Sequence, residues 1–217
     1  MKYSFFVQPQ INQNNSIFGY EVLLRKETNG NWTLPQNFTE LSIAQQVKLV
    51  EQTAEILKRK FTDHKTLSFN LNQQQADDPA TIKELIHLKK KIAPIGLNIE
   101  LTEAISLEHL QEISRQLHQN HIPLVIDDVG TGSNTFENIQ AALPYVDKIK
   151  LAMQNLRSLN QADQIPDYLA FWAAQAKKYC LDTVLEGVED VKDQLLAQRY
   201  HINIQQGYLY GKPAMPV

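Results

Sequence analysis

LVIDDVGTG, residues 124–132, is the stretch on which the fold turns. Leu124, Val125 and Ile126 form a short apolar run suited to a strand buried on both faces. Asp127 and Asp128 follow at once, then a loop carrying Gly130 and Gly132. A buried, unpartnered carboxylate is costly, and two adjacent ones repel each other. An apolar strand that ends this way needs something positive at its tip.

Similar runs recur on both sides. Residues 4–10, 17–25, 66–72, 95–103, 122–130, 147–152, 183–189 and 202–210 have strand character. Helix-like stretches separate them at 41–61, 79–91, 106–120, 134–142, 163–179 and 190–199. In the first of these, Val47, Val50, Ala54, Leu57 and Phe61 recur at helical spacing. Strands alternating with helices predict an α/β fold with a parallel sheet. Neither G-x-G-x-x-G nor G-x-x-x-x-G-K-[ST] occurs, which removes the main support for a nucleotide-binding Rossmann or P-loop fold. A closed barrel of the TIM (βα)8 type remains, with 217 residues near the lower end of its range. No Pro/Gly/Ser-rich linker divides the chain, so residues 1–217 are expected to form one domain.

Composition excludes several classes. Hydrophobic residues make up 43% and charged residues 21%, a globular balance. The net charge of -3 argues against a binder of nucleic-acid polymers, and Lys89–Lys91 read as a solvated helix end. Cys180 stands alone, which excludes an intramolecular disulfide, and reads as a packing residue. The N-terminal apolar run is too short for a signal peptide, and no stretch approaches the ~20 apolar residues of a membrane span. A cytoplasmic protein without membrane contact is expected. The six histidines, His64, His87, His109, His118, His121 and His201, read as surface residues; Trp32 and Trp172 read as packing residues.

The strand ends share one feature. Their apolar runs meet Glu21, Asn70, Glu100, Asp127 with Asp128, Lys150 and Glu186. In a βα barrel the C-terminal strand ends face a common mouth, so these residues should converge. Five carboxylates would then face one cation, Lys150. Two like charges ~4 Å apart cost about 4 kcal/mol at an effective dielectric of ~20, so the cluster calls for added positive charge. An all-oxygen donor set suits Mg²⁺ or Mn²⁺ and not zinc. Paired carboxylates can bridge two ions ~3.5–4 Å apart, the arrangement that serves in-line displacement at phosphorus. Any one such acid could instead be a helix N-cap. The full set, one per strand end, is harder to obtain from capping.

At these residues the sequence resembles the EAL domain family of cyclic-di-GMP phosphodiesterases. The naming motif stands as EVLLR, Glu21–Arg25, preceded by Gln8–Pro9. FNLN carries Asn70, ELTE spans Glu100–Glu103, and DDVGTG begins at Asp127. KLA spans Lys150–Ala152, EGVE spans Glu186–Glu189, and Gln206, Gly207, Tyr208 and Pro213 close the series in the family's order. The resemblance implies a modified βα barrel whose first strand runs antiparallel to the others. It implies metal-dependent hydrolysis of cyclic-di-GMP to linear pGpG with two Mg²⁺ or Mn²⁺. Glu21, Asn70, Glu100 and Asp127 would hold the first ion, and Asp127, Asp128 and Glu186 the second. Lys150 would orient the attacking water. Gln8, Arg25, Glu189 and Gln206 would contact substrate, and Glu103, Gly130 and Gly132 would position the loop at 129–136.

Three positions depart from the family. Ala152 replaces an Asp, which predicts a looser Lys150 or weaker coupling between subunits. Val129 replaces a Phe, which predicts altered loop packing. Val22 replaces an Ala beside Glu21. The departures keep open a catalytically inactive member acting as a cyclic-di-GMP receptor or protein-interaction module. Family members pair through their barrels, which implies a homodimer. No sensor segment is legible, so control is expected from expression, a regulatory protein or a longer chain.

Overall fold

The computed structural model describes residues 2–60 and 65–216. Phe61 and His64 lie outside them. Lys2–Asn12 (β1) and Ile17–Thr28 (β2) pair as a long antiparallel hairpin, which Asn31–Thr33 (β3) extends along β2. The chain then alternates. Ile43–Lys58 (α1) leads to Thr66–Leu71 (β4), then Gln73–Ala76 (α2) and Pro79–Lys91 (α3) to Gly96–Leu101 (β5). Leu107–His118 (α4) precedes Leu124–Ile126 (β6), and Phe136–Ile139 (α5) precedes Lys148–Ala152 (β7). Met153–Ser158 (α6) and Ile165–Tyr179 (α7) lead to Asp182–Glu186 (β8), and Val191–Arg199 (α8) to Ile204–Gln206 (β9).

The strands run in the order β1-β9-β8-β7-β6-β5-β4-β2-β3, and β1 also pairs with β2, which closes an eight-stranded barrel with β3 outside it. β1 is antiparallel to both neighbours, β2 and β9. The pairings from β2 through β4 to β9 are parallel. This is the modified barrel that the resemblance implies.

Helix starts follow from local chemistry. Ser42 and Gln45 form a capping box on α1, and Asp78 caps α3 with Pro79 at its first position. The long helices then lay an apolar face on the barrel. α1 contributes Val47, Val50, Ala54 and Leu57, α4 contributes Leu110, Ile113 and Leu117, and α7 contributes Leu169, Trp172 and Ala176, all buried. Among the described residues no helix is long and apolar enough to cross a membrane.

Several sequence expectations change. The helix expected over 134–142 shrinks to α5, followed by a short 3-10 turn at Leu143–Tyr145. The strand expected over 202–210 shrinks to β9, because at Gly207 the chain packs against Val188, whose carbonyl oxygen would lie 2.0 Å from an added Cβ. Cys180 is exposed, not packed; it terminates α7 in a left-handed conformation (φ 58°). Trp172 is buried as expected, whereas Trp32 is half-buried against Phe6. His118 and His109 lie at the surface as expected, where His118 Nε2 is 2.8 Å from Asp147 and His109 Nδ1 3.1 Å from Asp77.

Candidate active site

The strand-end residues meet at one mouth, and Lys150 is its centre. Lys150 is 1% exposed. Its Nζ lies 2.7 Å from Glu100 Oε2, 2.8 Å from Glu186 Oε1, 3.0 Å from Asp127 Oδ1 and 3.7 Å from Glu21 Oε2. Four carboxylates from β2, β5, the end of β6 and β8 therefore share one ammonium group. Glu21 is not at a strand end as expected. It sits mid-strand, opposite Gln8 of β1 and Ser68 of β4, because β2 continues past the mouth to pair with β1 and β3.

Neighbouring side chains on a strand point to opposite faces, so a regular strand could not aim both Asp127 and Asp128 at the mouth. The backbone resolves this by leaving β6 at Ile126 and turning left-handed at Asp128 (φ 48°). Asp tolerates that region better than most residues. The Asp128 N–H then donates to Asp127 Oδ1 at 3.0 Å. Asp127, Asp128 and Glu186 each bring a carboxylate oxygen within 4.8 Å of one another.

The charge balance is uneven. Burial pulls the Lys150 ammonium toward neutrality, but attraction from Asp127, Glu100, Glu186 and Glu21 overrides it and holds its pKa well above the ordinary value. Burial raises Asp127 well above the usual carboxylate range and raises Glu100 too, with Lys150 opposing both. Burial pushes Glu186 up to about 7, again against Lys150.

Among the described residues, two buried oxygens at the mouth have no hydrogen-bond partner, Asn70 Oδ1 and Asp128 Oδ1. Asn70 spends its Nδ2 on Glu21 Oε1 at 2.6 Å, which leaves its carbonyl oxygen free. Buried acceptors without donors, beside carboxylates held above their ordinary pKa, fit a hard divalent cation.

The expected substrate residues lie around this centre. A cavity of about 290 Å³ is bounded by Gln8, Asp128, Lys150, Glu186, Glu189 and Gln206, among others. A second, of about 280 Å³, holds Arg25, Asn70 and Glu103 beside the apolar side chains of Leu34 and Phe38. The Arg25 guanidinium packs on the Phe6 ring and donates to the Leu24 carbonyl. Glu103 accepts from the Gln73 N–H at the start of α2, at 3.2 Å. Asn134 ties the loop down from within: its Nδ2 donates to the carbonyls of Asp127 and Thr102. Gly130 (φ 85°) lets the loop pass Trp172 and Tyr168, each 2.9 Å from where a Cβ would sit, and Gly132 is also left-handed (φ 53°).

The substituted positions are buried. Ala152 is buried two residues beyond Lys150 on β7, and Lys150 is surrounded by its carboxylate partners. Val129 is fully buried; its N–H donates to the Lys150 carbonyl and its own carbonyl accepts from the Tyr168 hydroxyl. Sequence reasoning missed Asn134, Gln154, which donates to Glu186 Oε2 at 3.3 Å, and Gln10, which donates to Gln206 Oε1 at 2.9 Å. The polar residue at Gln10 within an inward-facing series with Gln8 was the one available signal.

A pH dependence follows. Burial holds Glu186 at a pKa of about 7, against 4.5 for an ordinary glutamate carboxyl. The native state therefore prefers the protonated acid. Its contribution to stability is full below pH 4.5 and is lost as pH rises to about 7, on the order of 3 kcal/mol in all. Cations that need the ionised form should stabilise the protein more at pH 8 than at pH 5. Melting temperatures with Mg²⁺ and with EDTA, compared at the two pH values, check this; equal increments would contradict it.

A profile described as EAL domain matches residues 2–213. The chain is 27% identical to "Probable cyclic di-GMP phosphodiesterase PdeD" of Escherichia coli K12, covering 100% of this chain and 42% of that protein. It is 30% identical to "Cyclic di-GMP phosphodiesterase PdeL" of the same organism, covering 93% of this chain and 59% of that protein. The chain thus spans about half the length of these curated relatives. The Bacillus subtilis YkuI protein, solved with c-di-GMP and calcium, superposes with a TM-score of 0.80 at 18% identity over 98% of this chain and 56% of that one.

Proposed function

The chain belongs to the EAL domain family, and from that membership we propose that it hydrolyses one phosphodiester of cyclic-di-GMP to give linear pGpG, using two divalent cations, Mg²⁺ or Mn²⁺. The observation that carries this reading is the pair of unpartnered buried oxygens, Asn70 Oδ1 and Asp128 Oδ1, within the ring of carboxylates around Lys150. Glu21, Asn70, Glu100 and Asp127 would hold one cation, and Asp127, Asp128 and Glu186 the other. The bound cations would supply a lowered water pKa and neutralise charge on the phosphoryl oxygens.

The protein's own groups do the rest. Lys150 keeps its proton under the pull of its carboxylate neighbours, so it can orient the attacking water and steady developing negative charge. Burial pushes the cation-free Glu186 up to about 7, and a bound cation would hold its carboxylate ionised. Arg25 is suited to a substrate phosphate because its guanidinium is planar and permanently charged. Gln8, Glu189 and Gln206 border the cavity where the nucleotide would lie. Glu103, Gly130 and Gly132 shape the surroundings of the Asp127–Asp128 loop.

Incubation with cyclic-di-GMP and either cation should yield pGpG, with EDTA stopping the reaction; no product under both cations sinks the reading. One observation favours a second reading, a receptor that binds cyclic-di-GMP without turnover. Ala152 places no carboxylate at the start of α6, whose N-terminus has no side-chain cap. Calorimetric binding without product identifies that case. The homodimer and a regulatory partner belong to the same proposal, and light scattering tests the former.

A further inference from the structure

We propose that Gln10 is a positioning residue that sets the direction of the Gln206 amide and, through it, holds the Glu21 carboxylate in place for cation binding. The inference rests on the hydrolase reading in one respect, that Glu21 is a cation ligand.

Gln10 lies on β1 directly opposite Gln206 of β9, and the two are 2% and 4% exposed. The β1–β2 ladder shifts register between Gln10 and Ile11, so Gln10 is the last residue of the regular pairing before the bulge. Gln10 Nε2 donates to Gln206 Oε1 at 2.9 Å. Gln206 Nε2 then donates to Glu21 Oε2 at 2.5 Å and to Gln8 Oε1 at 3.2 Å. Gln8 in turn donates to the Gly211 carbonyl at 3.1 Å. The chain of donors runs one way, from β1 through β9 to the mouth.

The two ends of an amide have nearly the same shape and opposite hydrogen-bonding roles. Reversed, Gln206 would turn its oxygen toward two other acceptors, Glu21 Oε2 and Gln8 Oε1. Its nitrogen would face the Gln10 amino group. The donor from Gln10 makes the observed direction the satisfied one. Glu21 takes one amide donor on each oxygen, Asn70 on Oε1 and Gln206 on Oε2, and lies 3.7 Å from Lys150. Its orientation therefore depends on neutral amides more than on the central ammonium. Partners that orient a metal ligand act in this manner at many sites, and losing one weakens cation affinity or activity about ten- to a hundredfold.

The test is calorimetric titration of the full chain with Mn²⁺ alone. Gln10→Met, which keeps the length and removes the donor, should bind Mn²⁺ about tenfold more weakly. Gln10→Glu, near in shape but offering acceptors, should lose at least as much and provides a second variant should the first fail to fold. In a Gln206→Met background, Gln10→Met should add nothing, because the relay is already cut. A purely structural role would produce the same loss in both backgrounds, and that result overturns the inference. So does wild-type Mn²⁺ affinity in Gln10→Met or Gln10→Glu. A wild-type chain that takes up no Mn²⁺ overturns the hydrolase reading and this inference together, which separates the two failures.

Discussion

Lys150→Met should lower the stability of the cation-free protein at pH 8 by about 3–5 kcal/mol, the range for removing one partner of a buried ion pair. Three carboxylate oxygens lie within 3.0 Å of its Nζ and a fourth within 3.7 Å. Without the ammonium group, Glu100, Asp127 and Glu186 must bind protons or repel one another in a buried site. The loss should shrink at pH 5, where protons supply the missing charge, and should shrink again with saturating Mg²⁺ at pH 8. Chemical denaturation at the two pH values, with and without Mg²⁺, checks all three statements. A Lys150→Met protein as stable as the parent in EDTA at pH 8 would show that the ammonium does not neutralise this cluster. Turnover should fall as well, since the same group is assigned to the attacking water.

Asp127→Asn should act with opposite signs on activity and stability. Asp127 is assigned to both cations, so cyclic-di-GMP hydrolysis should fall about 10³-fold or more, the scale for removing a group that stabilises developing charge. Burial already holds its carboxyl well above the ordinary pKa. Neutralising it removes one like charge from the ring and leaves Lys150 three carboxylates. The cation-free melting temperature should therefore stay level or rise. A variant that loses turnover and stability together would mean that Asp127 is chiefly structural. The substitution also leaves Oδ1, which accepts the Asp128 N–H, so the left-handed turn at Asp128 should persist.

Much of the site was legible because charge at the end of an apolar run is a local signal. Glu100, Asp127 and Glu186 were found that way, and each lies at or beside the tip of its strand. Glu21 was found by the same rule although its strand runs on to Thr28; the rule holds for strands that stop at the mouth, and β2 does not. The amides Gln10, Asn134 and Gln154 were not legible as site residues. An uncharged side chain carries no periodic or electrostatic signature, and its role appears only when burial removes water as its partner. Glu103 shows the same limit from the other side: its position was clear, but its hydrogen bond goes to Gln73.

The order of amino acids was enough to determine the alternation of strands and helices and the acid that closes most strands. Those properties depend on periodicity and on neighbours a few residues away. Only the folded chain decided that Glu21 and Glu186, from opposite ends of the sequence, share one ammonium group, and that Asp128 turns left-handed to bring a second carboxylate to the mouth. Barrel closure sets those distances, and closure is a property of all eight strands at once.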